Sequence, residues 1–548
     1  MPEQAVIALP AGLVLGHYMP GYTLQHDYAR SINPYHPQAE GGEMGGLYRQ
    51  APLLGSCWFA DPEVPWGPGV AGLEAAARYE IRAALDAGIN GFTFDYGAGY
   101  NSSNPADPHC VHVNLDRISV FFRIAEAEFP DFRLALALDQ ATLDRRFGRT
   151  MDFCISRRVE TVLQFLERHA DSPNLLRSLD GRPVFTSYRA TSLGHNVDSP
   201  PTDVRNILDQ SKEAIAAWKV VWTQVQEAHE AGVLFIADLP NAWQYERDPS
   251  YRMPLASVRR LFELWAEAFD GLSHFGATDT VQEASLCYAE SAAIAHEAGR
   301  LFVAPVYLGY RQHGDGRILM HGSDLIRDTW ELAQHVGADA IQVVTWNDYG
   351  EYSSFIPSIQ TGYVPSQLNR YFADSYRGQP CPELDTLFLC YRRYPGRPSP
   401  TDFPDDAVLW HPLDEEIEVV VIASAPGQLV VAGQGPYELG RGLSVVRAPL
   451  RPGIPSASLS RGGETVVTVA GLAKVIDGVA ERPYRQLLEP HMHSSDFNLL
   501  IRRDLGVDFD PEDSRWMDSS GSGMADWYEL IQAGARYKCV PKPRMGTG

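Results

Sequence analysis

Cysteine is sparse in this chain and unpatterned. Seven residues, Cys57, Cys110, Cys154, Cys287, Cys381, Cys390 and Cys539, are scattered along it, with no C-x-x-C pair and no zinc spacing. Reduced, buried thiols are therefore expected, and no metal site. No stretch reaches the roughly 18–20 apolar residues of a membrane span. The first residues, through Gly16, lack a basic lead, and Pro10 and Gly12 break their apolar run, so they do not read as a signal peptide. Location stays open between the cytoplasm and a non-classical route to the outside or into a virion.

Positive charge is also short. Lys and Arg total 46 against 69 Asp and Glu, a formal net charge of −23. That balance argues against nucleic acid or an anionic membrane as partner, because phosphate neutralisation needs clustered cations. The phosphate-cradling glycine turn of a doubly wound sheet is missing after the first strand, where His17-Tyr18-Met19-Pro20-Gly21-Tyr22 stands instead. A serine nucleophile elbow has no support either, since Gly521-Ser522-Gly523 has the wrong form. No cofactor is expected.

What is present is a large apolar core with many aromatic residues: 45% hydrophobic residues, with Tyr 25, Phe 22 and Trp 11 among 548 residues. That length suits a large barrel with one or two smaller units. Short apolar runs alternate with amphipathic stretches from Leu13 to Tyr376. The runs fall at 13–19, 89–95, 132–139, 183–188, 233–238, 272–275, 301–307 and 341–346. The helical stretches fall at 72–87, 115–128, 158–169, 204–231, 255–269, 281–298, 324–336 and 366–376. Eight strand–helix units in series predict parallel pairing with right-handed crossovers, the (β/α)₈ TIM barrel of the α/β class. After Gln379-Pro380 the texture becomes short β-branched segments between Gly and Pro turns, predicting an all-β, sandwich-like domain. The expected division is a barrel over 1–380, a β-sandwich over 381–489 and a C-terminal tail region over 490–548 in which no motif is legible.

In such a barrel the chemistry sits beyond the strand C-termini. The eighth run ends abruptly in Trp346-Asn347-Asp348-Tyr349-Gly350-Glu351, too polar for core, so Asp348 and Glu351 are the first candidates for catalysis. The other strand ends supply His17, Tyr18, Asp95, Asp139, Tyr188, Arg189, Asn241, Trp243 and Tyr307, which with Trp346, Asn347 and Tyr349 are candidates for binding substrate. Any one of these carboxylates could equally cap a helix or pair with an arginine. The apolar lead-ins Phe92-Thr93-Phe94 and Leu136-Ala137-Leu138 favour a perturbed acid at Asp95 and Asp139. Acids and aromatics without a cofactor motif suit glycoside hydrolysis, in which one acid protonates the leaving oxygen while a second carboxylate activates water or attacks the sugar.

Four motifs carry a resemblance: His17-Tyr18-Met19, Gly88-Ile89-Asn90-Gly91-Phe92, Gly181-Arg182-Pro183-Val184-Phe185 and Thr345-Trp346-Asn347-Asp348-Tyr349-Gly350-Glu351. In that order, over residues 13–380, the chain resembles glycoside hydrolase family 71, the α-1,3-glucanases or mutanases. The resemblance implies a (β/α)₈ barrel followed by a β-sandwich, and endo-acting, inverting hydrolysis of an α-linked polysaccharide with Asp348 and Glu351 as the essential acids. The chain departs from the family pattern at Asp95, at Asp139, at Tyr352-Ser353-Ser354 and in the long insertion from Thr23 to Gly69. Two other readings compete with hydrolysis: a non-catalytic glycan-binding or structural part of a larger assembly such as a virion tail, and a barrel enzyme of metal-assisted chemistry.

Overall fold

The computed structural model describes residues 7–20, 70–97, 109–139, 150–195, 204–229, 232–239, 255–275, 281–309, 322–348, 353–358, 361–380, 382–392, 415–471, 474–475 and 490–505. Eight parallel strands close into a barrel in chain order: β1 Val14–Tyr18, β2 Gly91–Gly97, β3 Arg133–Asp139, β4 Val184–Tyr188, β5 Leu234–Asp238, β6 Gly271–Ser273, β7 Leu301–Tyr307 and β8 Ala340–Val344. The helices between and after them are α1 Val70–Asp86, α2 His109–Glu128, α3 Met151–His169, α4 Val204–Ala228, α5 Leu255–Ala268, α6 Val281–Glu297, α7 Asp324–His335 and α8 Val364–Tyr376. The expected (β/α)₈ architecture is thus present. Helix α3 begins seven residues earlier than its apolar periodicity suggests, because the Thr150 side chain caps it by accepting the Phe153 N–H.

The chain divides into two compact units, one holding all eight barrel strands and the other α1, α8 and everything after them. In the barrel unit, successive residues of a strand point to opposite faces. Leu15, Ala135, Val184, Leu234, Ile236, Leu301, Val303 and Ala340 form one buried apolar cluster. Gly91 is required beside it: a Cβ there would lie 2.5 Å from the Arg133 carbonyl oxygen and 2.8 Å from Leu15 Cδ2. Two or four residues further along the same strands, on the same face by parity, come His17, Asp95, Asp139, Tyr188, Asp238, Tyr307 and Gln342. One end of the barrel interior is therefore apolar and the other polar.

In the second unit, strands β9 Thr386–Arg392, β10 Glu416–Ala423, β11 Gly427–Val431, β12 Gln434–Leu439, β13 Gly442–Pro449, β14 Ser456–Arg461, β15 Glu464–Ala470 and β16 Pro490–Ser494 form two antiparallel four-stranded sheets, ordered β13-β10-β9-β16 and β12-β11-β14-β15. Alternate residues, among them Leu387, Leu389, Ile417, Val419, Leu429, Val431 and Leu459, build one core between the sheets. Residues 490–494, at the start of the stretch that carried no legible motif, supply the edge strand β16 beside β9. Helix α9 (Phe497–Leu505) follows it. It is tied down by Arg503 to Asp86 at 2.8 Å and by Asp504, which accepts from the Tyr363 hydroxyl at 2.8 Å. Gly88, the left-handed C-cap of α1 at φ +78°, leaves room for Ala373, whose Cβ would lie only 2.7 Å from a Cβ placed there. Among the described residues no helix is long and apolar enough to cross a membrane.

Candidate active site at the strand ends

The polar end of the barrel interior is built from neighbouring strands. His17 on β1 is buried and its Nδ1 lies 3.3 Å from Gln342 Nε2 on β8. The same amide nitrogen donates to Thr93 Oγ1 on β2 at 3.2 Å. The other ring nitrogen, Nε2, faces Asp95 Oδ1 at 3.7 Å, with the two side chains 3% and 10% exposed. Burial lowers the His17 pKa to about 3, so the ring is neutral and the contact is no ion pair. The Phe275 and His17 rings pack steeply inclined with centroids 4.4 Å apart, and Tyr188 packs on Phe275 at 5.0 Å. These contacts bring the ends of β1, β2, β4, β6 and β8 to one place.

Asp238 ends β5 in a different setting. One carboxylate oxygen accepts the Arg189 N–H at 2.7 Å and the other accepts the Phe275 N–H. Arg189 stands in the left-handed region, φ 52°, which turns its amide toward that carboxylate, and its guanidinium carbon lies 5.2 Å from the Tyr188 ring centre. Burial raises Asp238 to about 7, against the pull of the two amides. Its role is to hold the loops after β4 and β6. Tyr307 donates its hydroxyl to the His274 carbonyl at 2.8 Å. His274 is a satisfied core histidine, donating from Nδ1 to the Leu239 carbonyl and accepting from Ser291 at Nε2.

Arg158, which the sequence reading passed over, is fully buried on α3. Its guanidinium donates to the main-chain carbonyls of Asp139 and Tyr96, at the ends of β3 and β2. Burial lowers its pKa to about 10 despite the opposing charge of Asp139. The signal was in the spacing: Cys154, Arg158, Thr161, Phe165 and His169 share the buried face of the helix. Gln342 was overlooked because a single polar residue inside Ala340-Ile341-Gln342-Val343-Val344 reads as noise in a buried strand.

The remaining candidates fall into three groups. Tyr18 and Trp346 are fully buried among aromatics: Tyr18 packs on Phe92, Phe94 and Phe121 at 5.0, 5.2 and 4.9 Å, and Trp346 on Phe92 at 5.7 Å. Asn347 and Asp348 follow directly on Trp346 and are buried, Asp348 at 6% exposure. Asn241, Trp243, Tyr349 and Glu351 lie outside the described residues. Among the described residues no group of three or more His, Cys, Asp or Glu side chains is placed to hold a metal ion. A groove of about 440 Å³ on α2 and α3 includes Ser119 and His169. The Ser119 hydroxyl donates to the Leu115 carbonyl at 2.8 Å, so its proton is committed and the pair offers no nucleophile.

The family model described as glycosyl hydrolase family 71 matches residues 73–371. Glucan endo-1,3-alpha-glucosidase agn1 of Schizosaccharomyces pombe is 26% identical over 214 residues, 34% of this chain and 49% of that protein. The chain thus matches about half the length of that curated relative. Among solved structures, a GH99 endo-alpha-mannosidase of Bacteroides thetaiotaomicron is 14% identical with a TM-score of 0.42, covering 67% of this chain and 98% of that one. A glycosyl hydrolase family 2 member of Bacteroides cellulosilyticus is 12% identical with a TM-score of 0.37, covering 72% and 43%. Likenesses of that degree carry no functional information.

Proposed function

The chain belongs to glycosyl hydrolase family 71, and on that premise we propose that it hydrolyses an α-linked polysaccharide, α-1,3-glucan in the first instance, acting within the chain and inverting the anomeric centre. Asp348 and Glu351 are the acid pair of this reading. One protonates the glycosidic oxygen as the bond breaks, and the other takes a proton from the water that attacks the opposite face of the sugar. Inversion needs room for that water, a carboxyl separation of about 6.5–9.5 Å. The observation that carries the reading is that Asn347-Asp348-Tyr349-Gly350-Glu351 runs directly off the eighth strand of a closed parallel barrel, within the segment that the family model matches.

The rest of the strand-end cluster supports this reading through its chemistry. Asp95 and Asp139 can accept hydrogen bonds from sugar hydroxyls, and Tyr188 and Phe275 offer flat apolar faces beside them. The agn1 relative, named as a glucan endo-1,3-alpha-glucosidase, supports α-1,3-glucan as the first substrate to try. The test is release of reducing ends from insoluble α-1,3-glucan by the full chain and by Asp348→Asn and Glu351→Gln. Activity in the parent and its loss in both variants is expected. Full activity in either variant removes that residue from the pair, and binding without hydrolysis in the parent points to a glycan-binding protein instead.

A further inference from the structure

We infer that Gln342 is a positioning residue: it fixes the tautomer of His17 so that a ring N–H, and not a lone pair, is presented to Asp95. Three adjacent strands carry the device. Gln342 lies on β8 in register with Leu15, and His17 on β1 is in register with Thr93 on β2. A primary amide nitrogen has two hydrogens and no lone pair to offer. Here one hydrogen is directed to Thr93 Oγ1 at 3.2 Å and the other to His17 Nδ1 at 3.3 Å. A ring nitrogen that accepts from an amide carries no proton. In the neutral ring that burial enforces, the proton therefore sits on Nε2, the nitrogen 3.7 Å from Asp95 Oδ1.

At 3.7 Å the N–H and carboxylate are beyond ordinary hydrogen-bond length, and a shift of half an ångström or so closes the contact. Such contacts commonly tighten when a ligand arrives. With Nε2–H toward it, Asp95 Oδ1 faces a neutral donor and not a lone pair. In the opposite tautomer a nitrogen lone pair would face the carboxylate and push it away. Thr93 accepts the second hydrogen of the same nitrogen, so both amide hydrogens are engaged. The consequence for turnover rests on the hydrolase reading above; the tautomer itself does not.

The test is a long-range ¹H–¹⁵N correlation spectrum of full-length protein carrying ¹⁵N-histidine near neutral pH, with the His17 signals assigned by their loss in His17→Gln. The expected result is a proton on Nε2 of His17 in the parent. Gln342→Glu, isosteric but presenting only acceptors to the ring when ionised, is expected to move the proton to Nδ1 and to lower kcat/KM on the order of tenfold or more, since small misplacements of a binding group are costly. A parent signal with the proton on Nδ1 overturns the inference, even if the variant fails to fold. So does a folded Gln342→Glu protein with unchanged tautomer or unchanged kcat/KM. A parent that turns over no glycan overturns the hydrolase reading alone, and the spectrum still decides the role of Gln342.

Discussion

At the N-terminal rim of the barrel, Asn90, Asp270 and Asp339 each stand one residue before a strand, and each accepts a main-chain N–H from the strand before it. The donors are Val14 at 2.8 Å, Phe235 at 3.0 Å and Phe302 at 2.8 Å. At the C-terminal rim the same kinds of side chain close the strands, but Asp95 faces an imidazole. The difference is in the partner. A carboxylate that meets a backbone amide of the neighbouring strand stitches the barrel shut, whereas one that meets a titratable ring is a candidate for chemistry. Asp238 shows that a place at a strand end is not sufficient. It lies at the C-terminal rim, yet it holds two amides and behaves as a stitch.

This contrast predicts opposite phenotypes at the two rims. The largest effect is expected at Asp348→Asn, a loss of about 10²–10⁴ in kcat with little change in thermal midpoint, read from initial rates and calorimetry. A variant that unfolds as well as inactivates would erase the distinction. Next is Arg158→Met, which removes the buried guanidinium that donates to the carbonyls of Tyr96 and Asp139. Loss of hydrogen bonds from a charged donor costs about 1.5–3 kcal/mol, measurable by urea denaturation. Because those carbonyls fix the ends of β2 and β3, turnover should fall too, the one expected case in which both properties move. Asp339→Ala at the N-terminal rim removes the acceptor for the Phe302 N–H. It should cost about 1–3 kcal/mol of stability and leave kcat of the folded protein unchanged.

The smallest effect per step is the response to pH. Burial lowers His17 to about 3 and His274 to about 4, from an ordinary 6.5. Above pH 6.5 both are neutral, folded or unfolded, and pH has no effect through them. As pH falls below 6.5 only the unfolded chain takes up these protons, so stability falls until the folded histidines also titrate near pH 3–4. The slope is at most about 1.4 kcal/mol per pH unit for each histidine. Chemical denaturation between pH 4 and 7 should show this loss, with a shallower slope in His17→Gln. An unchanged slope in that variant would place His17 outside the buried polar end.

How much of this was legible depended on burial. Parallel strands covered on both faces are continuous apolar runs, so all eight stand out, and their ends offer His17, Asp95, Asp139 and Asp348 as candidates. The residues that organise those ends were harder to see. Gln342 and Arg158 each interrupt an apolar pattern once, and only closure of the barrel and docking of α3 turn that interruption into a contact. The β16 strand was illegible for a different reason. Pro490-His491-Met492-His493-Ser494 has little β-branched character and owes its conformation to pairing with β9 across nearly a hundred residues.

The measurement that reaches the central claim most directly is ¹H NMR of the earliest products formed from α-1,3-glucan, within a panel of other polysaccharides. Release of reducing ends that appear first as the β-anomer is the result that paired acids acting with inversion predict. Products that appear first as the α-anomer, or a glycan that binds and is never cleaved, would contradict it.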